Sequence, residues 1–496
     1  MIFDKRRSGV LLHPSSLPGK YGIGSLGAEA FRFVDWLHDS GQSVWQILPL
    51  GPTDRSHSPY QSYSAFAGNP DLIDLEQLAV DGWLTGTQLS GPPDFPVDSI
   101  NFRSVLPFRE KLLKSAFEIF ERNGGFDSPG YHHFWDQHWW WLESWSLFDA
   151  LQTHLPKADW SHWEKPLKMR EEATLSKYYL QFRETVNLSR FLQFVFFRQW
   201  SSLKKYANDK GISIFGDIPL YVSFNSADVW SNQNLFLLDG NQKPTLVGGV
   251  PPDYFSQTGQ LWGNPLFDWE KMQQQGFDWW MARLHFNLRM FDLVRIDHFR
   301  GLESFWAIPS GEKTAINGRW MKAKGDQMLL TLQQQIGELP IVAEDLGLIT
   351  EDVHCLRKKF GLPGMKVLQF AFTDGADNAH LPHNFTRNFV AYTGTHDNNT
   401  VNGWLNTLKK DELKNVRRYL GTEKPDSWHL IRKVQESVAQ LAIVPMQDIL
   451  GLDATARMNK PATIRGNWIW RMDPALLHQS HSQRLLELTK IFGRSE

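Results

Sequence analysis

The stretch Leu293-Val294-Arg295-Ile296-Asp297 carries the pattern from which the fold of this chain is predicted. It is a short, mostly apolar run that ends in a carboxylate. Seven more short apolar runs alternate with helical segments, at residues 8–13, 44–49, 212–217, 341–345, 365–370, 389–395 and 441–445. Continuous apolar strands separated by helices are typical of a parallel sheet covered on both faces, and eight of them predict a (β/α)8 TIM barrel.

Acidic and histidine side chains close several of these runs. In a barrel of this kind the active site gathers at the carboxyl ends of the strands. We therefore expect the strand-end side chains to meet at one mouth. They are Asp217, Asp297, Glu344, Asp345, His396 and Asp397.

Two connections between predicted strands are too long for ordinary barrel loops. Residues 51–210 contain helical patterns at 108–123, 132–154 and 171–209, which predict a mostly helical inserted subdomain. Residues 226–275 have little regular periodicity and many Gly, Pro and aromatic residues, which is typical of a binding loop or lid. We interpret residues 1–496 as a single catalytic barrel domain that carries both insertions.

The charge balance of the chain bears on which class of ligand it binds. The chain has 52 basic and 54 acidic side chains, a formal net charge of -2, and 42% apolar residues. Nucleic-acid binding needs an excess of positive charge, so this balance argues against it and suits a neutral polymer. The apolar run near the start is too short for a signal peptide, and no stretch has the length of a membrane span. We expect a cytoplasmic protein.

A metal site is not expected. Cys355 is the only cysteine, which excludes an intramolecular disulfide, and its apolar neighbours predict a buried thiol. His298 and His396 could serve as ligands together with nearby Asp residues, so metal chemistry stays open as an alternative. However, the sequence has neither a His-x-x-x-His helix nor a carboxylate-rich calcium loop.

Two of the strand-end acids fit retaining glycoside chemistry. That reaction needs a carboxylate that attacks the anomeric carbon and a carboxylic acid that protonates the leaving oxygen, about 5 Å apart. Asp297 and Glu344 close consecutive predicted strands, and Arg295 lies two residues before Asp297 on the same strand face. An adjacent cation keeps a carboxylate ionised, as a nucleophile requires, so Asp297 suits that role. Glu344 has no such neighbour in sequence, which suits a raised pKa and the role of general acid.

Long motifs of the chain resemble those of the 4-α-glucanotransferases, the amylomaltase or disproportionating-enzyme branch of the α-amylase clan. The resemblance extends from about residue 7 to about residue 472. The motifs are Leu11-Leu12-His13-Pro14-Ser15-Ser16-Leu17-Pro18, Ser58-Pro59-Tyr60, Arg295-Ile296-Asp297-His298-Phe299-Arg300-Gly301, Ala343-Glu344-Asp345-Leu346-Gly347, Gly394-Thr395-His396-Asp397-Asn398, Arg457-Met458-Asn459 and Gly466-Asn467-Trp468.

The resemblance implies a role for each matching residue. Asp297 is implied to be the nucleophile, Glu344 the general acid/base and Asp397 the carboxylate that stabilises the transition state. The residues implied to bind substrate are Tyr60, Asp217, Tyr254, Phe255, Trp262, Arg295, His396 and Asn467, with Tyr254, Phe255 and Trp262 on the lid and acceptor side.

The resemblance also implies the partners and the limits of the fold. The substrates are α-1,4-glucans such as maltooligosaccharides and amylose, with glucose or another glucan as acceptor. No cofactor is implied, nor a nucleic-acid or membrane partner, and the protein is expected to be a monomer or homodimer. No separate C-terminal β-sandwich is implied, and the segment of about 50 residues after the eighth predicted strand reads as helix.

The chain departs from the family pattern at three places: Asn399, residues 318–325 and residues 461–465. None of them involves the three carboxylates. Two other functions remain open at this point. One is an α-1,4-glucan hydrolase of the same clan, in which water and not a sugar hydroxyl attacks the glycosyl ester in the second step. The other is an inactive glucan-binding protein.

Overall fold

The computed structural model describes residues 4–155, 159–252, 256–463 and 465–495. Twelve β-strands lie in these ranges: β1 (Arg7–Leu11), β2 (Val44–Gln46), β3 (Ser213–Pro219), β4 (Leu246–Val250), β5 (Gln260–Pro265), β6 (Leu293–Asp297), β7 (Ser304–Pro309), β8 (Arg319–Lys322), β9 (Ile341–Ala343), β10 (Gly364–Val367), β11 (Phe389–Tyr392) and β12 (Leu441–Pro445).

Eight of these strands form a nearly closed parallel barrel, so the predicted (β/α)8 fold is confirmed. Their order is β10-β11-β12-β1-β2-β3-β6-β9, and every pairing is parallel. The two end strands are joined where the Ala343 N–H donates to the Pro363 carbonyl over 2.8 Å. All eight are the runs predicted from the apolar pattern.

The barrel interior is filled by side chains from its own strands. Parallel strands with both faces covered leave no solvated face, which explains why their sequences are almost continuously apolar. Each strand contributes at least one buried residue to this inner cluster. These residues are Leu11, Val44, Phe215, Leu293, Val342, Met365, Val367, Val390, Tyr392, Leu441 and Ile443.

Helices surround the barrel and fill the long connection between β2 and β3. The α-helices in the described residues are α1 (Ala28–Asp39), α2 (Leu75–Val80), α3 (Gly86–Leu89), α4 (Phe102–Arg122), α5 (Pro129–His154), α6 (Lys165–Lys168), α7 (Glu172–Gln181), α8 (Arg183–Asp209), α9 (Ala227–Ser231), α10 (Trp269–Gln274), α11 (Asp278–Met290), α12 (Gly325–Ile336), α13 (Glu351–Lys359), α14 (Val401–Leu405), α15 (Lys410–Leu420), α16 (Ser427–Glu436), α17 (Met446–Ile449) and α18 (Gln479–Ile491). None of these helices is both long and apolar enough to cross a membrane.

A second sheet was missed by the sequence analysis. Strands β4, β5, β7 and β8 form an antiparallel sheet in the order β5-β4-β7-β8. Two of its strands, β4 and β5, precede β6 in the sequence, and the other two, β7 and β8, follow it. The strands are short, two of them contain glycine, and β8 is largely exposed, which leaves a weak alternating pattern.

Two further predictions were wrong. The segment after β12 is helical only at α17 and α18; its other described residues form loops and 3-10 turns and contain no β-strand. The expected buried thiol, Cys355, is exposed on α13. Its helix buries Val353, Leu356 and Arg357, which are spaced three and four residues apart, and Cys355 lies off that face.

A substitution at Gly9 of β1 tests how closely the barrel strands are packed. A Cβ at this position would lie 2.2 Å from the Val44 carbonyl oxygen on β2. We expect Gly9→Ala to force β1 and β2 apart and to cost about 1–3 kcal/mol of stability. Gly86→Ala, where a Cβ would meet nothing within 4 Å, is the matched control and should change stability by less than about 0.5 kcal/mol. Denaturation midpoints compare the two, and equal midpoints would contradict the packing argument.

Candidate active site

Arg295 connects two carboxylates at the mouth of the barrel. It lies on β6, and its guanidinium donates over 2.6 Å to Asp217 of β3 and over 2.6 Å to Asp297 at the end of β6. The Asp217 side chain is 1% exposed, whereas that of Asp297 is 31% exposed. Only Asp297 therefore presents its carboxylate to a ligand in the mouth, and Asp217 holds Arg295 from behind.

Tyr60 packs across this ion pair. Its hydroxyl donates to Asp217 over 2.7 Å, and its ring is stacked on His396 with centroids 5.0 Å apart and planes inclined by 17°. Trp468 lies against both rings, at 6.0 Å from Tyr60 and 5.8 Å from His396. The three rings form one aromatic wall next to the carboxylates.

Glu344 follows β9, next to the strand end that carries Asp297. Its two carboxylate oxygens accept the backbone N–H of His298 over 2.8 Å and that of Leu346 over 3.1 Å. Burial raises the pKa of Glu344 to about 8; the Arg295 charge opposes this shift and the Asp297 charge adds to it. A desolvated carboxyl beside another negative charge keeps its proton at neutral pH.

His298 connects Glu344 to the second sheet. Its backbone lies in the left-handed region, with φ of 54°, a conformation that is rare for a residue with a Cβ. This turn directs the His298 N–H at Glu344, while the imidazole packs edge-on against Trp262 of β5 at 4.8 Å. Tyr221, on the segment after β3, lies 6.3 Å from Trp262, so the two rings form an aromatic surface beside the barrel mouth.

Asp397 lies on the loop after β11, where it is held by a group that we did not predict. The Asn459 side-chain amide donates to Asp397 over 2.6 Å, and His396 Nε2 lies 3.4 Å from the same carboxylate oxygen. Arg457 donates to the Asp397 backbone carbonyl over 2.6 Å and to the Asn459 carbonyl over 2.7 Å. The irregular loop after β12 therefore fixes this third acid.

The structure brings most of the predicted site residues together. Arg295, Asp217, Asp297 and Tyr60 are linked directly, and the described contacts connect Glu344, His396, Asp397 and Trp262 to the same mouth. The predicted residues Tyr254 and Phe255 lie outside the described residues.

Asn467 bonds within its own loop. It accepts the Lys460 N–H over 3.0 Å and donates to the Thr463 carbonyl over 2.9 Å, with no described contact to the carboxylates.

Three residues around His396 and Asp397 were not assigned to the site by the sequence analysis. Asn459, Arg457 and Trp468 stand in the family-like motifs near the C-terminus, and those motifs were the available signal. Their loop has no strand or helix period, so a sequence pattern could not indicate which strand end they contact.

The arrangement offers one accessible carboxylate paired with a guanidinium and one desolvated carboxyl that retains a proton. Together these groups can attack an electrophilic carbon and protonate a leaving oxygen. Within the described ranges, no group of three or more His, Cys, Asp or Glu side chains is placed to hold a metal ion.

Comparison with known proteins identifies the family. Residues 12–477 match the family described as 4-alpha-glucanotransferase, glycoside hydrolase family 77. The chain belongs to the 4-alpha-glucanotransferase family. It is 47% identical to the 4-alpha-glucanotransferase of Synechocystis sp. and 46% identical to that of Thermus thermophilus, and both alignments cover 99% of each chain.

Solved structures of the family share the fold. The amylomaltase from Streptococcus agalactiae in complex with acarbose superposes with a TM-score of 0.95 at 38% identity, covering 99% of this chain and 100% of that one. The amylomaltase from Corynebacterium glutamicum has the same fold at a TM-score of 0.80 and 18% identity, over 98% of this chain and 76% of that one.

The raised pKa of Glu344 predicts how stability depends on pH. Its folded pKa of about 8 lies above the ordinary value of 4.5, so its contribution to stability is fully present below pH 4.5 and is lost as the pH rises towards 8. Glu344→Gln removes the titration. We therefore expect the melting temperature of the variant, relative to wild type, to rise between pH 5 and pH 8.

The loss of one accepted hydrogen bond in Glu344→Gln adds an offset that does not depend on pH, so the slope is the measurement. Glu423→Gln, at an exposed glutamate, controls for the loss of a charge. A difference that stays flat or falls over this pH range would contradict the raised pKa.

Proposed function

We propose that this chain moves segments of α-1,4-glucan from a donor to the 4-hydroxyl of glucose or of another glucan, by a retaining double displacement. The pairing of Asp297 and Glu344 carries the proposal. The first is an accessible carboxylate held by Arg295, and the second is a carboxyl whose pKa is raised by desolvation, so that it keeps its proton. Retaining glycoside chemistry needs this division of roles between two acids.

In the first step, a carboxylate oxygen of Asp297 attacks the anomeric carbon of the donor sugar. The bond from that carbon to the glycosidic oxygen breaks, and the oxygen leaves with the proton of Glu344. Arg295 keeps the attacking carboxylate oriented through its 2.6 Å contact. The product is a glycosyl ester on Asp297 and a free glucan whose 4-hydroxyl carries the transferred proton.

In the second step, the acceptor 4-hydroxyl gives its proton to the Glu344 carboxylate while its oxygen attacks the anomeric carbon. The ester bond to Asp297 breaks, and both acids return to their starting states. Two inversions at the anomeric carbon preserve the α configuration. Glu344 thus serves first as acid and then as base, for which a pKa near neutrality is suited.

Asp397 and His396 are proposed to bind the hydroxyls of the reacting sugar as positive charge develops on its ring. The 2.6 Å bond from Asn459 and the stacking of His396 on Tyr60 hold these groups before substrate arrives. Such preorganisation lowers the barrier because the groups need no rearrangement during reaction.

Transfer instead of hydrolysis requires that a sugar hydroxyl outcompetes water for the ester. The acceptor must be positioned and the site must exclude solvent. We propose that Trp262, packed against His298 beside Glu344, serves as a ring on which the acceptor sugar binds. Tyr254, Phe255 and Asn467 are proposed to bind substrate as well, the first two on the acceptor side.

The remaining parts of the proposal concern organisation and setting. Residues 1–496 form one catalytic barrel domain, with 51–210 as a helical subdomain and 226–275 as the lid and acceptor-binding region. The protein works in the cytoplasm as a monomer or homodimer, in the metabolism of maltodextrins, starch or glycogen. The Streptococcus agalactiae amylomaltase was solved in complex with acarbose, which supports a sugar-like ligand for this chain.

Substitution of Asp297 tests the nucleophile. Asp297→Ala should reduce chain transfer from maltotriose by at least about a thousandfold, because the glycosyl ester cannot form. Folding should be nearly unaffected, since the side chain lies at the rim of the mouth. Asp136→Ala, at an exposed position of α5, is the control. Transfer within tenfold of wild type would remove Asp297 from this role.

Substitution of Trp262 tests the choice between transfer and hydrolysis. Trp262→Ala should cost about 2 kcal/mol of acceptor binding, as truncation of a large aromatic contact residue often does. The ester would still form but would wait longer for its acceptor, and water would take a larger share. We expect the ratio of longer oligomers to net new reducing ends to fall several-fold at one maltotriose concentration.

Trp139→Ala is the matched control for Trp262→Ala, because Trp139 is an exposed indole on α5. An unchanged ratio for Trp262→Ala, with both rates intact, would mean that this ring only fixes its strand to the barrel and that another group excludes water.

A further inference from the structure

The second sheet has an outer face that the proposed reaction does not use. Trp262 points to the barrel mouth, so its neighbour Leu261 points to the opposite face. Leu261 pairs with Gly249, Gly249 pairs with Trp306, and Trp306 pairs with Trp320. Directly paired residues share a face, so these four positions form a row across all four strands of the sheet.

The outer end of this row carries a large exposed ring. Trp320 lies on the edge strand β8 and is 40% exposed, whereas most large apolar side chains of the chain are buried. It contacts Trp306 edge-on, with centroids 5.2 Å apart. The Trp306 indole N–H donates to the Ala315 carbonyl over 2.8 Å, which fixes the inner indole against its loop.

One side of the Trp320 ring is covered by a cation. The Arg300 guanidinium lies 3.8 Å from the ring centroid, which is close for a cation–π contact. Arg300 is buried and also donates to the Leu348 backbone carbonyl. Trp306 and Arg300 therefore hold the exposed indole in one orientation, so a ligand would meet a ring that is already ordered.

Arg300 and Leu348 connect Trp320 to the backbone around Glu344. Arg300 follows His298 by two residues, and Leu348 follows Leu346 by two residues. The backbone N–H groups of His298 and Leu346 are the two donors to Glu344. Trp320 is therefore connected, through Arg300 and Leu348, to the two backbone segments that hold Glu344.

We propose that Trp320, backed by Arg300 and Trp306, is a distal subsite that binds a sugar unit of the leaving or acceptor glucan beyond the reacting pair. This inference rests on the proposed function and names a specificity residue for it. A neutral hexose offers an apolar ring face to the indole and hydroxyls to the polar groups at the rim, such as Arg319 and Lys322. Only glucans long enough to reach this ring gain from it.

A single exposed ring suits a sugar better than a second protein chain. A stable protein interface buries about 800 Å² on each partner, with several apolar anchors. The row offers Trp320 and Leu261 as exposed anchors, while Trp306 is half-buried and Gly249 has no side chain. A change of oligomeric state is therefore included as an outcome that would overturn the proposal.

The experiment compares donors of two lengths. We measure kcat/KM for chain transfer with maltoheptaose and with maltotriose in wild type, Trp320→Ala, Trp320→Phe and Trp139→Ala. For Trp320→Ala the ratio of the two values should fall about tenfold, mainly through KM for the longer substrate. Trp320→Phe keeps a ring and should recover part of the ratio. Trp139→Ala should keep the wild-type ratio.

The outcomes separate this inference from the proposed function. A wild-type protein that transfers no sugar from maltotriose would refute the proposed function, and the subsite with it. Transfer by wild type with an unchanged ratio in Trp320→Ala would refute the subsite alone. Equal losses for both substrates, or a changed oligomeric state by light scattering, would show that Trp320 supports the fold or an interface and would also refute it.

Discussion

The ion pair from Arg295 to Asp217 and Asp297 is the constraint on which the rest of the site depends. A buried guanidinium needs negative partners, and here two neighbouring barrel strands supply them. Because one partner is buried and the other is accessible, the same cation both anchors the barrel mouth and orients a reactive carboxylate. Tyr60, His396 and Trp468 then pack around a centre whose geometry is already fixed.

The two acids of the site differ because their surroundings differ. Asp297 lies next to the cation on its own strand, whereas Glu344 is half-buried and accepts the backbone N–H groups of His298 and Leu346. The left-handed backbone of His298 makes one of these bonds possible. A rare conformation at this position therefore holds the acid/base and also places an imidazole against Trp262, so one residue links the chemistry to the second sheet.

The sequence was sufficient to predict the barrel and the strand-end acids, because buried parallel strands leave continuous apolar runs that end at the mouth. The boundaries were less accurate: β3 continues two residues past Asp217, and β11 stops at Tyr392. The antiparallel sheet was missed because its strands are short and partly exposed. The contact of Asn459 with Asp397 could not be predicted, since an irregular loop has no period that indicates where it folds back.

The second sheet also constrains the order in which the chain can fold. Its central pairing joins β4 to β7, and the barrel strand β6 lies between them in sequence. When β4 pairs with β7, the chain between them, which includes β6, closes into a loop. Strand β8 can pair with β7 only after residues 319–322 have been synthesised. During synthesis, the strand that carries Asp297 therefore emerges before the sheet next to it is complete. A chain arrested at this stage would have Asp297 and Trp262 but would lack the strands β7 and β8 that complete the sheet.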